Sequence, residues 1–332
     1  MRYIIIGAGA VGGTIGARLH EGGHEVLLVA RGAHLEALRA QGLRFGTPEG
    51  VRTLRIPAAG DPREVELRAD DVLVLAVKTQ DTAAALAAWA PRPVAGGGTA
   101  AERLPLVCAQ NGVENERLAL RLFHEVLAMC VWMPSTHLAP GRVNAGGTPV
   151  SGVLRLGGYP SGTGGARAAA IAADLAASGF SAPVAADVMS WKYTKLLGNL
   201  GNALDAVAGR TGDDAVRALH ERAAAEGAAV LAAAGIAHPD RAEQAREVGA
   251  VLRLAPVDGE EWAGSSSWQS LARGTGSIEA DHLNGEIVLL ARLHGVAAPL
   301  NEALQRLAGE FARTGRAPGS LTAAELAALR AL

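Results

Sequence analysis

The N-terminal part of the chain alternates short apolar segments with helix-like segments. Tyr3–Ile6 is apolar and rich in β-branched residues, which is typical of a strand buried on both faces of a sheet. Similar strands are predicted at Glu25–Val29, Val72–Val77, Leu106–Ala109, Val126–Trp132 and Gly152–Gly157. Strands that alternate with helices predict an α/β domain with a parallel sheet.

Two segments of this region depart from the alternation. After a helix predicted at His34–Gln41, short strand-like segments and turns continue to residue 70 and predict a hairpin inserted at the edge of the sheet. The glycine-rich segment 92–105 predicts a surface loop without a chemical function. A further helix, Ala166–Ser178, is expected shortly before the domain ends near Asp187.

From Met189 onward the apolar positions follow a helical period, and no strong strand pattern occurs. Helices are predicted at Ser190–Val207, Asp213–Ala234, Pro239–Val251, Glu279–His294, Pro299–Thr314 and Thr322–Leu332. A chain of 332 residues is long enough for two domains of ordinary size. We therefore expect an α/β domain over residues 1–187 and an all-helical domain over residues 188–332.

Composition and charge narrow the functional classes. The net charge of −2 gives no electrostatic reason to expect a nucleic acid or an anionic membrane as partner. No apolar run reaches the ~18 residues that a membrane-spanning helix needs, and charged residues interrupt the apolar start too early for a signal peptide. Cys108 and Cys130 have no metal-type spacing and imply no disulfide framework. These features favour a cytoplasmic protein without a metal site.

A glycine motif follows the first predicted strand. Gly7, Gly9 and Gly12 have the G-x-G-x-x-G spacing, and segment 11–21 favours a helix. In such a motif the first glycine permits a tight turn, the second lets the backbone approach a pyrophosphate, and the third lets the helix pack on the sheet. The expected dinucleotide-binding turn comprises Gly7, Ala8, Gly9, Ala10, Val11 and Gly12. A glycine-rich turn in an ordinary α/β protein is the alternative.

The end of the second predicted strand indicates which dinucleotide binds. NAD sites of this type have an acidic residue here, which binds the ribose 2′-hydroxyl. This chain has Ala30 and Arg31 instead. A carboxylate would repel a 2′-phosphate, whereas a guanidinium can bind it with two hydrogen bonds. Arg31 therefore predicts NADP(H) over NAD(H); a solvated arginine at a strand end is the alternative.

Lys78 and Asn111 come directly after two further predicted strands. The ligand crevice of a doubly wound sheet lies just beyond the carboxyl ends of its strands, so both side chains are candidates for ligand contacts. A solvated loop lysine and an ordinary Asn-Gly turn are the alternatives.

Polar side chains also cluster in the predicted helical domain. Lys195, Asn199 and Asn202 have the spacing i, i+4 and i+7, which places them on one helix face. Asparagine is a weak helix former, so two of them on one face suggest a site for an anion or a carbonyl group; a solvated helix face is the alternative. Ser265-Ser266-Ser267 predicts a loop that lines a ligand, or a helix cap. Glu279 opens a predicted helix, where the dipole alone would favour a carboxylate.

Together these residues resemble the ketopantoate reductase (2-dehydropantoate 2-reductase) family over nearly the whole chain. The resemblance rests on the glycine turn, Arg31, Lys78 and Gln110-Asn111-Gly112. It continues with Trp191-x-x-x-Lys195-x-x-x-Asn199, Ser266-Ser267, Glu279-Ala-Asp281-x-x-Asn284-Gly285 and Ala291-Arg292-x-His294-Gly295-Val296. Each motif is weak alone, but the combination is specific.

The resemblance implies a fold and a set of roles. The fold is an N-terminal Rossmann domain followed by a helical domain like the C-terminal domain of 6-phosphogluconate dehydrogenase, with the active site in the cleft between them. The glycine turn and Arg31 would hold NADPH, while Lys78, Asn111 and Glu279 would lie near its ribose and nicotinamide. Lys195 would be the general acid, and Glu279 would fix the geometry of the cleft. The substrate-binding positions would be Lys195, Asn199, Asn202, Ser266 and Ser267.

Two departures from the family pattern fall on the substrate side. The second asparagine of the family is usually four residues after the first, where this chain has Ala203, with Asn202 one residue earlier. Around the serines, Gly264 and Trp268 replace the usual Asn and Met. The reaction class is expected to hold, whereas the identity of the substrate is left open.

The expected function is the NADPH-dependent reduction of 2-dehydropantoate to pantoate, a step of pantothenate and coenzyme A biosynthesis. Hydride would reach the C2 carbonyl, and Lys195 would supply the proton. The alternatives are an NADP-dependent oxidoreductase of the same family that acts on a different 2-oxo acid, and a non-catalytic dinucleotide sensor. The expected partner is a small 2-oxo acid. The sequence does not specify the oligomeric state, and a homodimer is one assembly that it allows.

Overall fold

A computed structural model describes residues 1–209, 213–259 and 264–332. The strands are β1 Arg2–Ile6, β2 Glu25–Val29, β3 Leu43–Thr47, β4 Gly50–Leu54, β5 Ala58–Ala59, β6 Asp71–Leu75, β7 Leu106–Cys108, β8 Val126–Trp132, β9 Ser135–Thr136, β10 Arg142–Ala145, β11 Gly147–Pro149, β12 Val153–Tyr159 and β13 Leu252–Leu254. The helices are α1 Ala10–Glu21, α2 Gly32–Gln41, α3 Thr82–Trp89, α4 Ala100–Arg103, α5 Asn115–Leu120, α6 Gly165–Ala177, α7 Val188–Asn199, α8 Gly201–Ala208, α9 Asp214–Ala233, α10 Arg241–Val251, α11 Ser266–Ala272, α12 Asn284–His294, α13 Pro299–Thr314 and α14 Ala323–Ala331. Short 3₁₀ helices occur at Pro62–Glu64, Thr79–Asp81 and Glu279–His282.

The chain divides into two compact units. The first comprises Met1–Met189 with Ala245–Trp262, and the second comprises Ser190–Gln244 with Ala263–Leu332. The sequence pattern did not indicate that a segment near residue 250 belongs to the first unit. This segment joins the first unit through β13, which pairs with β11 in antiparallel fashion. The sequence of β13 is too short to carry a strand signal.

The main sheet of the first unit has the strand order β12-β8-β7-β6-β1-β2-β5. β1 pairs in parallel with both β2 and β6, and every residue of β6 is buried, which explains its continuous apolar sequence. β12 is antiparallel to β8 and closes one edge. From β1 the chain first adds β2 and β5 on one side, and then adds β6, β7, β8 and β12 on the other side, so the strand order reverses at β1. In sheets of this kind a ligand binds outside the carboxyl ends of the strands at that reversal, which here is the end of β1 and β6.

The hairpin predicted before residue 70 forms, but it lies in another sheet. β3 and β4 are antiparallel, and they belong to a separate sheet in the order β4-β3-β10-β9. Only the short β5 joins the main sheet at its edge, beside β2. The alternating burial of β4 reveals a strand with one solvent face, but such a pattern does not specify its partner.

The predicted loop at 92–105 contains a short helix, α4. The side chains of Thr99 and Glu102 form a capping box at its start. This arrangement satisfies backbone N–H groups that would otherwise lack partners. The glycines before it supply the turn, so the segment is more ordered than its composition predicts.

The second unit is built from helices. Leu197, Leu200 and Leu204 are buried, as expected for the apolar stripe of the helix predicted at 190–207. That helix is nevertheless two helices, α7 and α8, with a break at Leu200. No helix within the described ranges is both long and apolar enough to span a bilayer.

Candidate active site

The glycine turn after β1 has the geometry of a phosphate cradle. Gly7 has φ +101°, and a Cβ there would lie 2.8 Å from the backbone nitrogen of Val77. A Cβ on Gly12 would lie 2.0 Å from the carbonyl oxygen of Gly7, whereas a Cβ on Gly9 would have no atom within 4 Å. Gly9 is also the N-cap of α1, whose first N–H groups can bind an anion. The space in front of Gly9 therefore fits a pyrophosphate.

A histidine that the sequence analysis missed supports this turn. The N–H of Gly141 donates to Nδ1 of His34 at 2.9 Å, and Nε2 of His34 lies 2.8 Å from the carbonyl oxygen of Ala8. Since Nδ1 accepts a hydrogen bond, the proton of the neutral ring is on Nε2, which donates to Ala8. His34 thus ties the glycine turn to the second sheet. A lone histidine in a polar helix gave no sequence signal for this contact.

Arg31 is the N-cap residue of α2, directly after the turn that follows β2. Its side chain is 75% exposed, and Nη2 lies 3.5 Å from Oδ1 of Asp81. An exposed ion pair of this length contributes little to stability. A phosphate group can therefore compete with Asp81 for the guanidinium of Arg31.

A buried network holds the loops that carry Lys78 and Asn111. Nε2 of Gln110 donates to Oγ1 of Thr82 at 2.8 Å and to the backbone carbonyl that precedes Lys78, also at 2.8 Å. Thr82 donates to Oδ1 of Asn115 at 2.7 Å, and Nδ2 of Asn115 donates to the carbonyl of Asn111 at 3.0 Å. The network fixes both loops beyond the ends of β6 and β7. The sequence signal for this network was the presence of Gln110 and Asn115 close to an apolar strand, because buried side-chain amides need hydrogen-bond partners.

The polar residues of α7 and α8 lie in the second unit. Lys195 and Asn199 are one turn apart on α7, and Asn202 follows in the first turn of α8. Nδ2 of Asn199 is buried and has no hydrogen-bond partner among the residues that the structure describes. Ala203 is 1% exposed and belongs to the core, so Asn202 is the side chain available for a ligand at this turn.

The serine cluster begins a helix instead of forming a loop. Oγ of Ser265 accepts the N–H of Trp268 at 3.3 Å and caps α11, as in the capping alternative. Ser266 and Ser267 form the first turn of α11, which packs against α8. Oγ of Ser267 is buried and, within the described part of the chain, unpartnered. An unpaired buried hydroxyl costs about 1–3 kcal/mol, and such a group is typical of a site that a ligand completes.

Gly264 and Trp268, the two residues around the serines that depart from the expected family pattern, lie next to each other. Gly264 has φ +103°, and a Cβ there would lie 3.2 Å from the ring of Trp268. A side chain at position 264 would therefore press on the indole and would strain the backbone at this positive φ. Glycine at position 264 suits the tryptophan at position 268.

Glu279 starts the 3₁₀ helix that precedes α12 and is 5% exposed. It belongs to the second unit, as do Lys195, Asn199, Asn202 and the serines. The glycine turn, Arg31, Lys78 and Asn111 belong to the first unit. Each unit thus carries one coherent set of the residues that the sequence singled out.

Comparisons with known proteins match both the N-terminal and the C-terminal part of the chain. The family model described as ketopantoate reductase PanE/ApbA matches residues 3–160, and the model of its C-terminal region matches residues 187–312. The 2-dehydropantoate 2-reductase of Halobacterium salinarum is 33% identical over 95% of this chain and 100% of its own. That of Mesorhizobium japonicum is 30% identical over 94% of this chain and 98% of its own.

A solved structure supports the same assignment. The PanE/ApbA family ketopantoate reductase of Ralstonia eutropha superimposes with a TM-score of 0.76 at 30% identity. The match covers 95% of this chain and 100% of that protein. The chain therefore belongs to the ketopantoate reductase (PanE/ApbA) family of nicotinamide-dinucleotide-dependent oxidoreductases.

Proposed function

We propose that the chain reduces 2-dehydropantoate to pantoate with NADPH, a step of pantothenate and coenzyme A biosynthesis. The observation that carries the proposal is a pair of buried groups, Nδ2 of Asn199 and Oγ of Ser267, which have no hydrogen-bond partner in the described parts of the chain and lie in the unit that also contains Lys195. A small 2-oxo acid offers carboxylate, carbonyl and hydroxyl groups that could complete their hydrogen bonds. The relatives named 2-dehydropantoate 2-reductase support this choice of acid.

Lys195 is proposed as the catalytic acid. The bound dinucleotide supplies the hydride that reduces the C2 carbonyl. As negative charge develops on the carbonyl oxygen, the ammonium group of Lys195 stabilises that charge and donates a proton from Nζ. The product is the 2-hydroxy acid, and a neutral amine remains on Lys195 until solvent reprotonates it.

The remaining polar groups are proposed to bind and orient the ligands. Asn199 and Asn202 donate to oxygens of the substrate, and Ser266 and Ser267 bind its carboxylate or hydroxyl. Glu279 fixes the surroundings of the reacting groups. On the cofactor side, the glycine turn takes the pyrophosphate, Arg31 the 2′-phosphate, and the ribose and nicotinamide lie near Lys78 and Asn111.

A substrate panel tests the proposal. NADPH oxidation is measured with 2-dehydropantoate, 2-oxoisovalerate and oxaloacetate under identical conditions. We expect kcat/KM to be highest with 2-dehydropantoate, because its hydroxyl group gives Ser267 an additional partner. A higher kcat/KM with another acid would favour an oxidoreductase for that acid, and absence of oxidation with all of them would favour a dinucleotide sensor.

Arg31→Ala tests the choice of dinucleotide. Loss of the charged contacts to a 2′-phosphate should lower kcat/KM with NADPH about 10- to 100-fold. The value with NADH, which lacks this phosphate, should change little. Arg63→Ala is a suitable control, since Arg63 is 81% exposed and pairs with Asp61. Equal losses with both dinucleotides would contradict the role of Arg31.

The cytoplasmic location and the homodimer stay predictions. Both cysteines of the chain are buried and form no disulfide, which supports a reduced setting. The reaction itself needs only small molecules as partners.

A further inference from the structure

The helix break at Leu200 divides the proposed substrate-binding residues. Asn199 is the last residue of α7, and Asn202 lies in the first turn of α8. Leu200 keeps right-handed helical dihedral angles, with φ −59° and ψ −29°, and its N–H donates to the carbonyl of Leu196 at 3.0 Å. The break therefore does not originate in the backbone conformation of Leu200.

The carbonyl of Leu200 accepts a hydrogen bond from another helix. Nδ2 of Asn284 donates to this carbonyl at 3.0 Å, and Asn284 is fully buried. Leu200 is also the N-cap residue of α8, and the carbonyl of an N-cap residue accepts the first hydrogen bond of its helix. A carbonyl oxygen has two lone pairs and can accept both hydrogen bonds. Asn284 thus contacts the backbone at the boundary between α7 and α8.

Asn284 also belongs to a buried polar network. Its Nδ2 also donates to Oδ1 of Asn301 at 3.0 Å. Nδ2 of Asn301 donates to the carbonyl of Ala223 at 3.0 Å and to Oε2 of Glu226 at 3.1 Å. Glu226 also accepts the N–H groups of Leu300 and Asn301 at the start of α13, at 3.2 and 3.1 Å. The network thus joins α9, α12 and α13, and the hydrogen bond from Asn284 to Leu200 is separate from it.

The first turn of α8 is packed tightly against α9. A Cβ on Gly201 would lie 2.0 Å from Nδ1 of His220, so this contact needs glycine. Burial lowers the pKa of His220 and favours the neutral ring in the contact. The path of α8 is thus fixed at its start, and α8 continues along α11, the helix of Ser267.

We propose that Asn284 is a positioning residue for the substrate. By anchoring the carbonyl of Leu200, which lies between the two helices, it sets the amides of Asn199 and Asn202 for one small carboxylate-bearing ligand. The inference rests on the proposed function, which places these two asparagines at the substrate. Without Asn284, the carbonyl of Leu200 loses this buried donor, and the start of α8 can shift, which displaces Asn202 relative to Asn199.

Asn284→Ala tests this role through separate kinetic constants. We expect the KM for 2-dehydropantoate to rise about tenfold, the effect of one well-placed hydrogen bond to a charged group. The KM for NADPH should stay within about twofold, because the change affects binding of one ligand only. Steady-state kinetics with each substrate varied in turn measures both values.

Asn301→Ala is the matched control. It truncates an amide of the same network but leaves the hydrogen bond from Asn284 to Leu200 in place. It should lower the melting temperature as Asn284→Ala does, while the KM for 2-dehydropantoate stays near the wild-type value. The same KM for both variants would show a merely structural role. Should Asn284→Ala fail to fold, Asn284→Asp keeps the size but cannot donate, and serves in its place.

Crystal structures of the wild type and the Asn284 variant separate this inference from the proposed function. A displacement of Asn202 relative to Asn199 in the variant supports the positioning role of Asn284. Unchanged positions of both asparagines overturn that role, whatever the activity of the variant. Inactivity of the wild-type protein toward every 2-oxo acid would instead overturn the proposed function.

Discussion

Lys195→Ala is expected to lower kcat for reduction of the 2-oxo acid by about two to four orders of magnitude. Alanine can neither stabilise the charge that develops on the carbonyl oxygen nor donate a proton to it. The neighbours of Lys195 in the chain, Leu196 and Leu197, are 1% and 2% exposed. Their burial fixes the rotation of α7 about its axis and therefore the side of the helix on which Lys195 lies. Asn199, one turn further along, then lies on the same side of the helix.

Rates at saturating NADPH and 2-oxo acid measure this effect. Lys195→Arg is an informative companion, because it keeps the positive charge but holds its proton too tightly to transfer it. Its kcat should fall between those of the wild type and Lys195→Ala. Turnover of Lys195→Ala above about a tenth of the wild-type rate would be too high for a lost general acid, and another proton donor would have to be sought.

Gly9→Ala should abolish most dinucleotide binding while the protein remains folded. A Cβ at this position meets no atom of the chain within 4 Å, and Gly9 has φ −73°, which any residue adopts. The added methyl group therefore projects into the space where a pyrophosphate would lie. We expect the Kd for NADPH to rise at least about tenfold, the equivalent of 1.4 kcal/mol, at an almost unchanged melting temperature.

Gly12→Ala provides the contrast, because its Cβ would lie 2.0 Å from the carbonyl oxygen of Gly7. That variant should lose stability and binding together. Fluorescence titration with NADPH and thermal unfolding of both variants distinguish the two cases. Normal NADPH affinity in a stable Gly9→Ala protein would show that the phosphates do not approach this turn.

Features encoded in contiguous residues could be predicted from the sequence. Strand β2 and helix α13 have the predicted bounds, because burial on one or both faces leaves a direct periodic pattern. The hairpin β3–β4 was also predictable from its turns. Its sheet was not, because its partner β10 lies about a hundred residues further along the chain, and local patterns carry no pairing information.

The candidate site shows the same division. Lys195, Asn199 and the glycines could be proposed as site residues because each occurs at a characteristic spacing next to a recognisable element. The hydrogen bond from Asn284 to the carbonyl of Leu200 could not be predicted, because the two residues are 84 positions apart in the chain. His34 was missed for a similar reason, since its partners are the backbone of Ala8 and Gly141 and any backbone can supply such groups.

The contact between Gly264 and Trp268 has a consequence for divergence within the family. A Cβ at position 264 would lie 3.2 Å from the ring of Trp268, and φ at Gly264 is +103°, so a larger residue there must shift the indole and strain the backbone. Tolerance at position 264 is therefore coupled to the residue at position 268. We expect the two positions to change as a pair when sequences of this kind diverge.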